Sequence, residues 1–168
     1  MKSMFFPRKF GVLAIAALVA GGTLLPSSAN GAKKWDWPMK PARLSSGFDR
    51  PVQNWLPGHR GVDLVGRSGD KVFAAGSGVV TFAGSLAGKG VVVISHGKLR
   101  TTYEPVTASV VVGSKVKVGE KIGTLSPGES HCASTRTVSC LHWGLIQGKT
   151  YLNPLMLVKK PVRLLPKS

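Results

Sequence analysis

From residue 61 to residue 125 the chain is a succession of short β-branched runs cut repeatedly by glycine. Val62-Asp63-Leu64-Val65, Lys71-Val72-Phe73-Ala74-Ala75, Val79-Val80-Thr81-Phe82-Ala83 and Val91-Val92-Val93-Ile94-Ser95 are each too short for a helix. Their branched side chains suit a pleated, half-buried surface. Runs of this length broken by turn residues at intervals of roughly 8–12 predict an antiparallel sheet of hairpins. With 21 glycines and 11 prolines in 168 residues, and no long helical pattern beyond the N-terminus, the fold class expected is all-β. The expectation is a compact antiparallel β-sheet domain with glycine-rich turns.

Strands are expected at 44–48, 62–65, 71–75, 79–83, 91–95, 99–103, 110–112, 116–118, 121–125 and 141–146. Turns are expected at Gly76-Ser77-Gly78, Gly88-Lys89-Gly90 and His96-Gly97-Lys98, and a C-terminal turn from Asn153-Pro154. Trp35-Asp36-Trp37-Pro38 opens the ordered part, as an aromatic plug on one end of the sheet. The loop 49–58, with Pro51 and Pro57, delivers His59. The polar loop 126–139 is long enough that a functional role is more usual than an idle one.

The first 29 residues read as a targeting device. Lys2, Arg8 and Lys9 precede the mostly apolar stretch 11–25, and Ser27-Ser28-Ala29 offers small residues for cleavage. A retained segment of this kind would be the chain's one tie to a membrane. The organisation expected is a signal peptide at 1–29, a polar lead at 30–34, one domain at 35–158 and a basic tail at 159–168. Cleavage leaves enough chain for one core, but not two. The leader carries three basic residues and no acid, so a formal charge of +13 out of +16 remains. Such a charge calls for anionic partners. Export argues against nucleic acid and for an anionic envelope polymer or membrane surface, with the protein secreted or held in the cell envelope.

Two stretches carry metal-binding chemistry: His59-Arg60-Gly61-Val62-Asp63, and Cys140-Leu141-His142 some eighty residues later. Zinc accepts imidazole nitrogen and carboxylate oxygen, and a catalytic zinc takes three protein ligands and keeps the fourth position for water. His59, Asp63 and His142 supply such a set. Their combined charge would leave the ion about one positive charge, enough to acidify water and polarise a carbonyl.

With its order, spacing and intervening β-pattern, the chain resembles the lysostaphin-type (LytM-like) zinc metallopeptidases, which cut peptide cross-links in bacterial peptidoglycan. The likeness runs from about residue 35 to residue 158. The family's His-x-x-x-Asp motif is met by His59 and Asp63. The second histidine of its His-x-His motif is met by His142. The resemblance implies an exported zinc endopeptidase acting on cell-wall peptides. In the family two further histidines flank the reacting water. At the first histidine of His-x-His this chain has Cys140, and in the Tyr-x-His segment Tyr103-Glu104-Pro105 puts proline. The alternative is therefore a catalytically degenerate member that binds peptidoglycan or regulates another wall hydrolase. A further reading, a biotinyl- or lipoyl-type carrier, would need a modifiable lysine at a hairpin tip, and the context of Lys98 is wrong for it.

Cys140 has three open roles: a disulfide with Cys132, a fourth zinc ligand, or a thiol base. An exported chain with two nearby cysteines favours the bridge. His131, beside Cys132, is a candidate base. Glu104 is expected to point away from the site, by alternation from Tyr103 and Pro105. His96 is expected to be a hairpin-turn residue.

Overall fold

A computed structural model describes residues 34–127 and 138–158. The chain divides into two units, Met1–Gly31 and Ala32–Ser168, and the fold below belongs to the second. The signal peptide, its cleavage point, residues 30–33 of the polar lead, His131, Cys132 and the tail from 159 lie outside the described residues.

Eleven strands and one short helix follow in order among the described residues: β1 (Leu44–Ser46), β2 (Gly61–Gly66), β3 (Lys71–Phe73), β4 (Gly78–Leu86), β5 (Lys89–His96), β6 (Leu99–Glu104), β7 (Val106–Ala108), β8 (Lys115–Val116), β9 (Lys121–Leu125), β10 (Ser139–Gln147), β11 (Thr150–Leu152) and α1 (Leu155–Val158). Eight strands form one antiparallel sheet in the order β1-β2-β10-β6-β5-β4-β8, with β11 also on β10. Three more form a second sheet, β3-β9-β7. No helix among the described residues is long and apolar enough to cross a membrane.

The core cluster draws from both sheets. Val62, Leu64, Val92, Ile94, Tyr103, Leu141 and Trp143 come from the large one, and Val72, Ile122, Leu125 and Val106 from the small one. Along β2 and β10 every second side chain is spent on this core. Residues 63 and 142 alternate with it and face the other way. The central position of β10, paired to β2 on one side and β6 on the other, makes it the most buried strand of the sheet.

The hairpin β4–β5 turns at Ala87-Gly88, one residue earlier than expected, with φ of 49° and 82°. Positive φ at both central residues matches the twist of the flanking strands. β5–β6 turns at Gly97-Lys98 as expected. The expected strand at 110–112 does not form. Val111 and Val112 are 71% and 61% exposed, and a strand there would gain no burial. Instead Ser114 N–H donates to Val111 O at 3.1 Å and Gly113 N–H to Val80 O at 2.8 Å, closing a turn against β4. The short strands β7 and β11 and helix α1 went unread in the sequence, because stretches of three or four residues carry no legible period.

The aromatic lead is packed against the domain, with Trp37 beside the central strand β10. Trp35 bridges to Gly76, and a Cβ on that glycine would strike the Trp35 ring. Trp37 lies 6.1 Å from Trp143, centroid to centroid.

Candidate metal centre

His59 arrives from the loop, not from a strand. Asp49 N–H donates to His59 O at 3.0 Å and His59 N–H to Asp49 O at 2.8 Å, so the loop closes on itself just before β2. Gly58 makes this closure possible, since a Cβ there would stand 2.9 Å from Asp49 O and from Pro51 N. Arg60 reinforces it, donating to Leu56 O at 2.8 Å. Asn54 Nδ2 ties the loop to the β10–β11 turn by donating to Lys149 O at 2.8 Å.

Asp63 and His142 are positioned by register. They are direct partners across β2 and β10. Directly opposed residues share a face of the sheet. Asp63 is 2% exposed and His142 7%. Three atoms converge: His59 Nε2 to Asp63 Oδ1 at 3.2 Å, His59 Nε2 to His142 Nδ1 at 3.1 Å, and His142 Nδ1 to Asp63 Oδ1 at 2.9 Å. All three predicted ligands therefore meet, in one group whose ligand atoms lie within 4.8 Å of one another.

The donor set and spacing fit zinc. Metal–ligand bonds of about 2.0–2.1 Å at tetrahedral angles separate neighbouring ligand atoms by about 3.3 Å. The three observed separations sit just inside that figure. The ring orientation fits as well. His59 Nδ1 lies 2.5 Å from Gly47 O, and a carbonyl can only accept, so Nδ1 carries the proton. That leaves the Nε2 lone pair aimed at the other two groups. A backbone carbonyl that fixes the tautomer in this way is the usual support of a metal-bound histidine.

Two glycines make room beside the ligands. Gly61 and Gly144 are paired across β2 and β10. A Cβ on Gly61 would stand 2.6 Å from His142 Nε2, and one on Gly144 would strike Thr102 Oγ1. The floor of the site next to His142 is therefore bare backbone.

A model of peptidase family M23 matches residues 57–154, more than half of the chain, and spans all three ligands. The chain belongs to peptidase family M23. This M23 domain is similar to the Mycobacterium tuberculosis protein Rv2891, at 48% identity over 139 residues, which cover 79% of this chain and 55% of that protein. The chain spans about half the length of the curated relatives it matches. Among solved structures it is similar to Helicobacter pylori Csd3, with a TM-score of 0.60 and 31% identity over 76% of this chain and 35% of that one. The solution structure of lysostaphin gives a TM-score of 0.61 at 23% identity, over 82% of this chain and 61% of that one, a likeness of fold. The lysostaphin-type resemblance and the all-β class both hold.

The other sequence candidates fall differently in this M23 domain. Cys140 is fully buried and is not a free cysteine. Its expected partner Cys132 and the candidate base His131 lie outside the described residues. His96 is more than a turn residue. Its Nδ1–H donates to Ser77 O at 2.8 Å, so Nε2 accepts from the Thr101 hydroxyl, also at 2.8 Å. Burial lowers its pKa below the usual 6.5, against a smaller raising effect of the Ser77 carbonyl. Tyr103 does not line the cleft. It is wholly buried, accepts from Ala75 N–H at 2.9 Å, and meets Thr101 Oγ1 at 2.8 Å.

The expectation for Glu104 is overturned. Glu104 is the direct partner of His142 on the β6 side, so Asp63, His142 and Glu104 form one row across three strands. Alternation from Tyr103 was the right rule applied to the wrong face: Tyr103 belongs to the core, and its neighbour therefore faces the site. Tyrosine is only intermediate in its preference for the interior, so the aromatic by itself does not say which face of β6 the core lies on.

Proposed function

We propose that the chain is a zinc-dependent endopeptidase of bacterial cell-wall peptides, exported by the leader at 1–29 and working on peptidoglycan in the envelope or outside the cell. One observation carries this reading: His59 Nε2, Asp63 Oδ1 and His142 Nδ1 converge at 2.9–3.2 Å on a bare glycine floor. Those three residues would hold the ion. Bound zinc would supply a Lewis acid for the scissile carbonyl and lower the pKa of the attacking water.

The chain's own residues do the rest. His59 and His142 are aimed by Gly47 O and by the β2–β10 register. Asp63 brings the negative charge that a buried pair of imidazoles around a cation needs. The strongly basic surface suits an anionic wall polymer.

A second reading has a specific observation in its favour. Cys140, in the place of one helper histidine, is buried and carries no free thiol, and Pro105, in the place of the other, has no titratable group. A chain so altered would bind peptidoglycan, or regulate another wall hydrolase, without cutting. His131 stays a candidate base in the first reading.

Digestion of purified peptidoglycan decides between the two. The zinc-loaded domain is expected to release new amino termini, and His142→Ala none. Zinc binding without release would favour the binder.

We also assign Cys132 and Cys140 to one disulfide. A loop of about nine residues closed in this way contributes roughly 2–3 kcal/mol on the chain-entropy model. Thiol titration of the denatured, unreduced protein should find no free thiol, and two would refute the bridge.

A further inference from the structure

We propose that Glu104 is a catalytic residue of this domain, the carboxylate that takes a proton from the attacking water and returns it to the leaving nitrogen. The proposal rests on the peptidase reading and gives it the proton acceptor that positions 105 and 140 do not supply.

The placement follows from register alone. β10 runs between β2 and β6, and its residues pair with both. Val62, Trp143 and Tyr103 form one cross-strand row, and all three are buried in the core. The next row on one side is Asp63, His142 and Glu104, and the row on the other side of Trp143 pairs Gly144 with Gly61 and Thr102. Rows alternate between faces, so Glu104 shares the face of the two ligands. The glycine row confirms the parity, because a Cβ on Gly144 would point at the Thr102 hydroxyl and one on Gly61 at the His142 ring. Opposed residues in such a pair have Cβ atoms about 4.5–5.5 Å apart. Glu104 is thus one strand spacing from His142, on the side away from Asp63, and only half-buried.

Among the acids of the described residues, Glu104 is the one that shares the row of Asp63 and His142 from outside the candidate ligand trio.

The chemistry balances without another reactant. Water loses one proton to the Glu104 carboxylate as its oxygen bonds to the carbonyl carbon. The carbon–nitrogen bond then breaks, Glu104 gives the proton to the departing nitrogen, and the products are one carboxyl group and one amine. A carboxylate beside a metal site can serve both steps, and a positioned acid–base group contributes about 10²- to 10⁴-fold in rate.

The test compares wild type, Glu104→Gln and His142→Ala on soluble cross-linked peptidoglycan fragments, with zinc affinity measured separately by chelator competition. Glu104→Gln keeps the size and shape of the side chain. It is expected to bind zinc as the wild type does, keep KM, and lose about 10²- to 10⁴-fold in kcat. An active wild type matched in kcat by Glu104→Gln would overturn the proposal alone. So would a fall in zinc affinity of about tenfold or more, which would make Glu104 part of the metal's support. A wild type that binds zinc but releases no amino termini would sink the peptidase reading, and this proposal with it.

Discussion

His96 and His142 lie in the same eight-stranded sheet and are both largely withdrawn from water, yet their surroundings are opposite. Around His96 the hydrogen bonds run in one direction. Tyr103 donates to Thr101, Thr101 donates to His96 Nε2, and His96 Nδ1–H donates to Ser77 O, while Ala75 N–H feeds the phenol oxygen. Each ring nitrogen has a partner that suits a neutral imidazole, and Trp35 closes over the ring at 4.9 Å. At His142 the geometry converges instead: its Nδ1, His59 Nε2 and Asp63 Oδ1 point at one another, an arrangement that a shared cation would suit. The difference teaches that burial alone says little about a histidine. The direction of the bonds around its ring separates a structural residue from a candidate ligand.

The comparison breaks most readily at the ligands. His59→Ala, Asp63→Ala and His142→Ala should each take zinc from about one per chain to near none by elemental analysis, whereas His96→Gln should leave it at one. A metal-free wild type would remove the contrast altogether.

On the opposite face of the same three strands, Trp143→Ala should cost about 3–5 kcal/mol in denaturant unfolding, because Trp143 is a large and fully buried side chain. A loss under about 1 kcal/mol would mean that the core row is not what holds the ligand row in register.

Tyr103→Phe tests the closed chain at His96. It leaves Ala75 N–H without its acceptor and Thr101 without its donor, and should cost about 1–3 kcal/mol. Burial pushes the Tyr103 phenol up to about 12 from 10.0, partly offset by the Thr101 and Ala75 hydrogen bonds. The folded state therefore favours the neutral phenol, and stability should fall as pH rises above 10. That alkaline loss should be absent in Tyr103→Phe.

The smallest effect belongs to His96 itself. Its pKa is depressed in the folded protein, so its contribution is complete above 6.5 and is lost as pH falls from 6.5 toward the lower folded value. The wild-type stability curve minus that of His96→Gln should show this acid-side decline. A flat difference would reopen the one-way bond chain.

How much of this was legible beforehand depends on which interactions decide each element. The strands β2, β4, β5, β6, β9 and β10 were readable because each is a β-branched or aromatic run bounded by turn residues. The segment at 110–112 has the same composition and leads into a turn, because Val80 offers backbone partners to Gly113 and Ser114 while Val111 and Val112 stay exposed. His59, Asp63 and His142 were readable as a ligand set through spacing and residue type. Glu104 was misplaced because its face depends on which side of β6 the core lies, and a single strand does not say.

The sequence by itself determined the β-class, the turns and the identity of the three candidate ligands, since strand period, glycine placement and donor chemistry are local properties. Only the tertiary structure decided that residues 63, 142 and 104 stand in one row, that Tyr103 turns inward, and that the two histidine environments differ in kind. Those outcomes depend on the pairing of strands far apart in the chain, and a shift of one residue in that register would have sent every one of these side chains to the other face.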